Sequence, residues 1–240
     1  MNLPLRLPAL VSGGLALGGA RPDHSEVIRD WAFLRPHGGF GLIVADPPWS
    51  QEMRTPKGYA KSPQAHYACQ DLRWIQTLPV EMLAAPDCWL WLWSLGNMVP
   101  HALGVLEAWG FEFCTSGTWA KTTIAGEAAL GLLGTGEDPK PGSLKRHAGA
   151  HPLQFGTGFV LRGAGEPFLI AKRGNPVVRS RAVRSVILAP RGRHSAKPDA
   201  AYEAAAALAG DVAKVELFSR RRRAGWSCWG AQADLFEPRE

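Results

Sequence analysis

The sequence predicts an α/β domain organised around a central, mostly parallel sheet, and three observations carry that prediction. Leu42-Ile43-Val44-Ala45 is a continuous apolar run with β-branched residues at its centre, stopped by Pro47 and Pro48. It reads as a strand buried on both faces, the habit of a parallel sheet. Cys88-Trp89-Leu90-Trp91-Leu92-Trp93 is a second buried run of strand length. Helical stretches fall between such runs, notably at 99–109 and 198–208, as α/β order requires.

At 240 residues the chain has the length of one α/β domain with a substantial core. Its formal charge of +6 favours a polyanionic partner. Cys69, Cys88, Cys114 and Cys228 show no zinc-ligand spacing, so no metal is expected. They read as reduced thiols of a cytoplasmic protein. Residues 9–20 weakly imitate an export signal. Two Gly-Gly pairs and the short run argue against both export and a membrane span, so 1–24 is taken as a loose N-terminal arm.

Taken in order, 25–34 is an amphipathic helix with Ser25 at its N-cap. Pro36-His37-Gly38-Gly39 turns into the first strand. Residues 50–67 show no helical or strand period and form a long loop at the ligand-binding edge. There Arg54, Lys57, Lys61 and His66 are placed to meet phosphates, and Tyr59 or Tyr67 to stack on a base. A merely solvated loop is the competing explanation. Residues 71–83 read as a helix broken at Pro79, with Asp71 as cap. The alternating Trp89, Trp91 and Trp93 share one face and belong to the core. Ser94-Leu95-Gly96-Asn97 turns at the ligand-binding edge, and the helix at 99–109 ends at Gly110 in its C′ role.

Short strands are expected at 111–113 and 117–121, the second ending at Lys121, which either meets phosphate or is simply solvated. Residues 125–155 hold many Gly and Pro residues with Lys140, Lys145, Arg146, His147 and His151, and read as a basic, flexible insertion. Neither Gly134-Thr135-Gly136 nor Gly156-Thr157-Gly158 completes a nucleotide-binding fingerprint. Glu166 enters a strand at 168–171 directed toward the ligand-binding edge. Arg162 and Glu166 either face a substrate or pair with each other. Arg179, Arg181 and Arg184 sit in a loop suited to phosphates, and 185–188 is a short strand. Ser195 or Asp199 caps the helix at 198–208, with Pro198 in its first turn. The last central strand, 213–218, contains Glu216, a buried carboxylate that needs a partner. Arginines 220–223 follow as a phosphate-facing run or a solvated edge. One domain therefore spans 25–234, and 235–240 is a tail.

The chemistry concentrates at Asp46-Pro47-Pro48-Trp49. Asp46 stands at the carboxyl end of a buried strand, the edge where open α/β sheets bind ligands. Two prolines stiffen the backbone and leave carbonyls that only accept. With the flat ring of Trp49, this set suits a planar base bearing an exocyclic amine. Such an amine is a poor nucleophile because its lone pair is delocalised. Hydrogen bonds to Asp46 and the Pro47 carbonyl draw it toward tetrahedral geometry and free that pair. The plain alternative is a capping turn in which Asp46 binds backbone amides.

Asp46-Pro47-Pro48-Trp49 resembles the signature of S-adenosylmethionine-dependent amino-methyltransferases. The chain is similar, from about residue 40 to 232, to the family named for the catalytic subunit of messenger-RNA adenosine N6-methyltransferase, which has bacterial and phage members. The resemblance is carried further by Trp119-Ala120-Lys121, by Gly156-Thr157-Gly158-Phe159-Val160-Leu161-Arg162, by Arg193-His194-Ser195-Ala196-Lys197-Pro198-Asp199 and by Gly225-Trp226-Ser227-Cys228-Trp229-Gly230-Ala231-Gln232. It implies a Rossmann-like methyltransferase fold in permuted motif order, with helices on both faces of the sheet. It implies S-adenosyl-L-methionine as cofactor, held by Asp46, Asn97, Lys197, Glu216, Phe218, Arg220, Arg222 and Gln232, with Lys197 at its carboxylate. Ala231 stands where the family often has Asn. Asp46, Pro47, Pro48 and Trp49 are the implied catalytic set, and Tyr67, Arg54, Lys57, Lys61, Lys121, Arg162 and Glu166 the implied substrate contacts.

The expected activity is methylation of adenine N6 in nucleic acid, DNA as first choice and RNA left open. The base is flipped out or presented single-stranded. A silent nucleic-acid-binding partner subunit and an N4-cytosine DNA methyltransferase are the alternatives. A homo- or heterodimer and no membrane association complete the expectation.

Overall fold

The computed structural model describes residues 22–50, 69–123, 152–156, 160–192 and 196–231. The N-terminal arm, most of the loop at 50–67, nearly all of the basic insertion, Ser195 and the tail lie outside them.

Four helices are described: α1 (Ser25–Leu34), α2 (Leu72–Gln76), α3 (Val99–Ala108) and α4 (Asp199–Ala209). The strands are β1 (Phe40–Ala45), β2 (Ala84–Trp93), β3 (Glu112–Thr122), β4 (Gly165–Arg173), β5 (Val186–Pro190), β6 (Lys214–Leu217) and β7 (Ser227–Trp229). They form one 7-stranded sheet in the order β5-β3-β4-β2-β1-β6-β7. Among the described residues β4 alone runs antiparallel to its neighbours, so the sheet is mostly parallel, as expected. β1 and β6 are adjacent although most of the chain lies between them.

The side chains of β1 alternate between two apolar layers. Ile43 and Ala45 pack with Cys88, Leu90 and Leu92 beneath α1, α2 and α3, where Trp31, Ile75, Val105, Leu106 and Trp109 are also buried. Leu42 and Val44 join Trp89, Trp91, Trp93, Trp119 and Phe168 under α4. The tryptophan stripe is core, as its spacing predicted. α4 meets it with Ala201, Ala205 and Ala209, and these small residues leave room for the indoles.

Several local expectations are corrected. Ser25 is not the cap of α1: its N–H and hydroxyl both donate to Asp23, and His24 holds the cap position. The helix expected at 71–83 does break before Pro79, but α2 already ends at Gln76 and the piece after the proline is only a 3₁₀ turn, Val80–Met82. Asp71 does cap α2, accepting from Trp74 N at 2.7 Å. The two strands expected at 111–113 and 117–121 are one strand, β3, carried across a register shift between Phe113 and Thr115. β4 begins at the ligand-binding edge and runs away from it.

Gly117 is required by packing. A Cβ there would lie 2.2 Å from Phe168 Cζ and 2.5 Å from the Ser185 carbonyl. The Phe168 ring has no room to retreat, since it stacks on Trp91 at 4.1 Å. Gly117→Ala is expected to cost about 1–3 kcal/mol, read as a lower urea midpoint at unchanged slope.

Candidate active site

The carboxyl ends of β1 and β3 and the start of β4 meet at one rim. Asp46 follows β1 on the face of Val44, and Glu166 opens β4 opposite Trp119 on the same face. Lys121 is the last residue but one of β3, and Lys197 precedes α4. The four charges form one chain. Lys121 Nζ lies 2.7 Å from Glu166 Oε2. Lys197 Nζ lies 2.6 Å from Glu166 Oε1 and 2.8 Å from Asp46 Oδ2. Lys197 is 7% exposed at its side chain and stands 5.3 Å over the Trp93 ring. The indole layer beneath keeps water out and strengthens each pairing.

Burial would pull the Lys197 ammonium down, but Asp46 and Glu166 outweigh it and raise it above the ordinary lysine range. Burial would raise Glu166, yet the two lysines hold it at about 2. Asp46 goes the other way: burial pushes it up, Lys197 pulls it back in part, and Glu166 adds a further upward push. Of the two carboxyls, Asp46 is the one whose surroundings favour the protonated form.

Among the described residues, Lys197 is the only hydrogen-bond partner of the Asp46 carboxylate. No backbone amide among the described residues donates to it, as a capping turn would require. It lines two cavities. One, of about 660 Å³, is also lined by Ala189, Lys197, Tyr202, Glu216 and Arg223. The other, of about 520 Å³, is lined by Pro48, Gln70, Trp74, Trp229 and Ala231. Asp46, Phe218 and Arg220 line both. Phe218 turns the chain after β6 with φ at 64°, a left-handed backbone that costs a non-glycine residue roughly 1 kcal/mol or more.

Trp49 corrects the sequence reading. It is 3% exposed, packed in the core, with Nε1 donating to the Trp93 carbonyl at 3.2 Å. Its ring anchors the turn and offers no stacking plane. Pro47 is buried and lines neither cavity. Its carbonyl already accepts from Trp49 N at 2.8 Å, which leaves one lone pair. Pro48 lines the second cavity, and its carbonyl accepts from Gln70 N.

Glu216 has the partners its burial demanded. It accepts from the Tyr202 hydroxyl, from Ser219 Oγ at 2.9 Å and from Arg223 Nη1 at 2.6 Å. At most one acceptor direction remains for an outside hydroxyl. Arg223 lies 3.4 Å over the Tyr202 ring, and Arg221 pairs with Asp199 at 2.7 Å. Asp199 is thus an ion-pair partner rather than a helix cap, and the arginine run is partly structural. Sequence reasoning missed Tyr202, whose one signal was a lone tyrosine in an alanine-rich helix. Asn97 and Arg222 are exposed and line neither cavity. Arg162 is exposed and stacks on Phe155 at 5.5 Å, so the alternative of an Arg162–Glu166 pair gives way to the lysines. Arg54, Lys57, Lys61, Tyr67 and Gln232 lie outside the described residues.

A mostly parallel α/β sheet with a carboxylate at its rim, beside two cavities that share that residue, is consistent with a methyltransferase fold. The chain belongs to the MT-A70 family, whose model matches residues 40–140 and 144–232. It is 27% identical to the type II methyltransferase M.MunI of Mycoplasma sp, over 82% of this chain and 79% of that protein. It is 28% identical to the human N(6)-adenine-specific methyltransferase METTL4, over 90% of this chain and 43% of that one. It is 25% identical to the N6-methyladenosine RNA methyltransferase MTA1 of Cryphonectria parasitica, over 84% of this chain and 54% of that one. The chain therefore spans most of the bacterial relative and about half of the human and fungal ones.

Proposed function

We propose that this protein methylates the N6 amino group of adenine in nucleic acid, with DNA as its substrate before RNA. The observation that supports the reading most directly is the Asp46 carboxylate. One of its oxygens is held by Lys197, and the group lines two adjoining cavities. Membership of the MT-A70 family supports the reaction class. The match to most of a type II methyltransferase favours DNA.

The residues present fit S-adenosylmethionine. A buried ammonium with two carboxylate partners among the described residues, and so a third N–H to offer, suits its carboxylate, and two cavities sharing a wall suit an elongated molecule. Lys197 would hold the carboxylate, while Phe218 and Arg220 line the space common to both cavities, and Gly230 and Ala231 line the second. When bound, the cofactor supplies an electrophilic methyl group. Asp46 accepts an N–H of the target amine and turns its lone pair outward. Lys197 keeps Asp46 ionised for that role. The amine sheds its proton after transfer, and burial pushes the Asp46 carboxyl in the direction that favours receiving it. Catalysis here is positioning and fixed charge. Lys121 and Glu166 support Lys197 from behind, and Arg162 stands outside as a contact for the nucleic-acid backbone. Among the described residues no helix is long and apolar enough to cross a membrane. The reading places the protein in the cytoplasm, as a homo- or heterodimer on nucleic acid.

The test is nucleoside mass spectrometry on DNA and RNA incubated with the protein and S-adenosylmethionine. N6-methyladenine in DNA is expected. N4-methylcytosine overturns the choice of base, and label confined to RNA overturns the choice of polymer. A protein that gives no heat with S-adenosylmethionine in calorimetry is a silent subunit.

A further inference from the structure

We propose that Glu166 is a positioning residue for the cofactor's carboxylate, acting through Lys197 rather than by touching the substrate. The inference rests on the reading of Lys197 as holder of that carboxylate. Glu166 lines neither cavity. Both of its oxygens are taken, Oε1 by Lys197 at 2.6 Å and Oε2 by Lys121 at 2.7 Å. A carboxylate that pairs with two ammonium groups and lines neither cavity is not within reach of a base held in one.

What it does offer is a fixed direction for Lys197. A lysine side chain has four rotatable bonds and a point charge, so it sets no geometry by itself. Here its ammonium is drawn to Asp46 on one side and Glu166 on the other, with the Trp93 ring 5.3 Å away. An ammonium has three N–H groups. Two are committed to carboxylates, so the third has its direction set by the other two. Lys121 completes the device by holding Glu166 at the far oxygen. Lys121, at 24% side-chain exposure, is its solvent-side end. The charges alternate along the row, so the site holds two acids and two bases at no net charge. Because Glu166 is held at about 2, it stays ionised wherever the enzyme works.

The experiment compares two ligands by calorimetry, S-adenosylmethionine and its decarboxylated analogue. Wild-type protein is expected to bind the first more tightly. Glu166→Gln keeps the shape but removes the charge and turns an amide N–H toward one lysine. It is expected to weaken S-adenosylmethionine binding about tenfold and to leave the decarboxylated analogue unchanged. Lys121→Met is expected to shift the same ligand in the same direction by less, and provides the answer if Glu166→Gln does not fold. Equal weakening of both ligands overturns the inference, since Glu166 would then be merely structural. Unchanged affinity for S-adenosylmethionine overturns it too. Wild-type protein that binds neither ligand overturns the cofactor reading itself, a result distinct from both.

Discussion

Asp46→Ala is expected to leave a folded protein that transfers methyl groups about 10²- to 10³-fold more slowly or not at all, the loss typical of one preorganised polar group. The fold survives because Lys197 keeps Glu166 as a partner, 2.6 Å away, so no charge is stranded. Ala45 and the prolines keep the turn. The rate of the unmutated protein is expected to fall as pH drops through a value above 3.8. Burial raises Asp46, and its protonated form no longer accepts the amine's N–H in the same way. Rate measurements across pH, with thermal melts of both proteins, check the two halves. A variant that turns over at the unmutated rate would remove Asp46 from the chemistry.

Lys197→Met is expected to damage both stability and binding. It leaves the Asp46 and Glu166 carboxylates at the buried rim without the cation they share. Removing one partner from a buried ionic group costs about 3–5 kcal/mol, a fall in melting temperature on the order of 10 °C for a chain this long. The pH dependence distinguishes this from lost packing. In the unmutated protein Glu166 lies below its ordinary value of 4.5. Its share of stability is complete above 4.5 and is lost as pH falls toward about 2. In Lys197→Met Glu166 keeps Lys121, but Asp46 loses the cation that pulls it down, so its native value rises further above its unfolded one. Stability of the variant should then increase as pH is lowered toward that raised value, opposite in sign to the Glu166 contribution. Melts that run flat as pH is lowered would count against the shared-cation account.

The features legible in sequence were local ones. Val44 and its neighbours announced a buried strand because four apolar residues in a row have few other fates. Trp89, Trp91 and Trp93 announced one face because strand geometry alternates. Asp46 was legible as a rim residue for the same reason: it follows a strand and precedes two prolines. What sequence could not show was distance. Lys197 and Asp46 are 151 positions apart, and nothing local says that Glu166 completes their contact. Trp49 was misjudged because an aromatic ring after a turn serves equally as a platform or an anchor. Only the Trp93 carbonyl within reach of its indole N–H decides between them. β7 escaped notice because its three residues are too few to show alternation.

The reversed direction of β4 has a consequence for how such an enzyme changes its habits. Because β3 arrives at the rim and β4 departs from it, the chain between them leaves and returns at nearly the same point: Lys121 N donates to the Ala164 carbonyl at 2.8 Å, and Ala120 pairs with Gly165. Whatever is spliced into that excursion, the two strands that deliver Lys121 and Glu166 close behind it like a clasp. A change of length in that excursion is thus expected to leave the spacing of Lys121 and Glu166 unaltered.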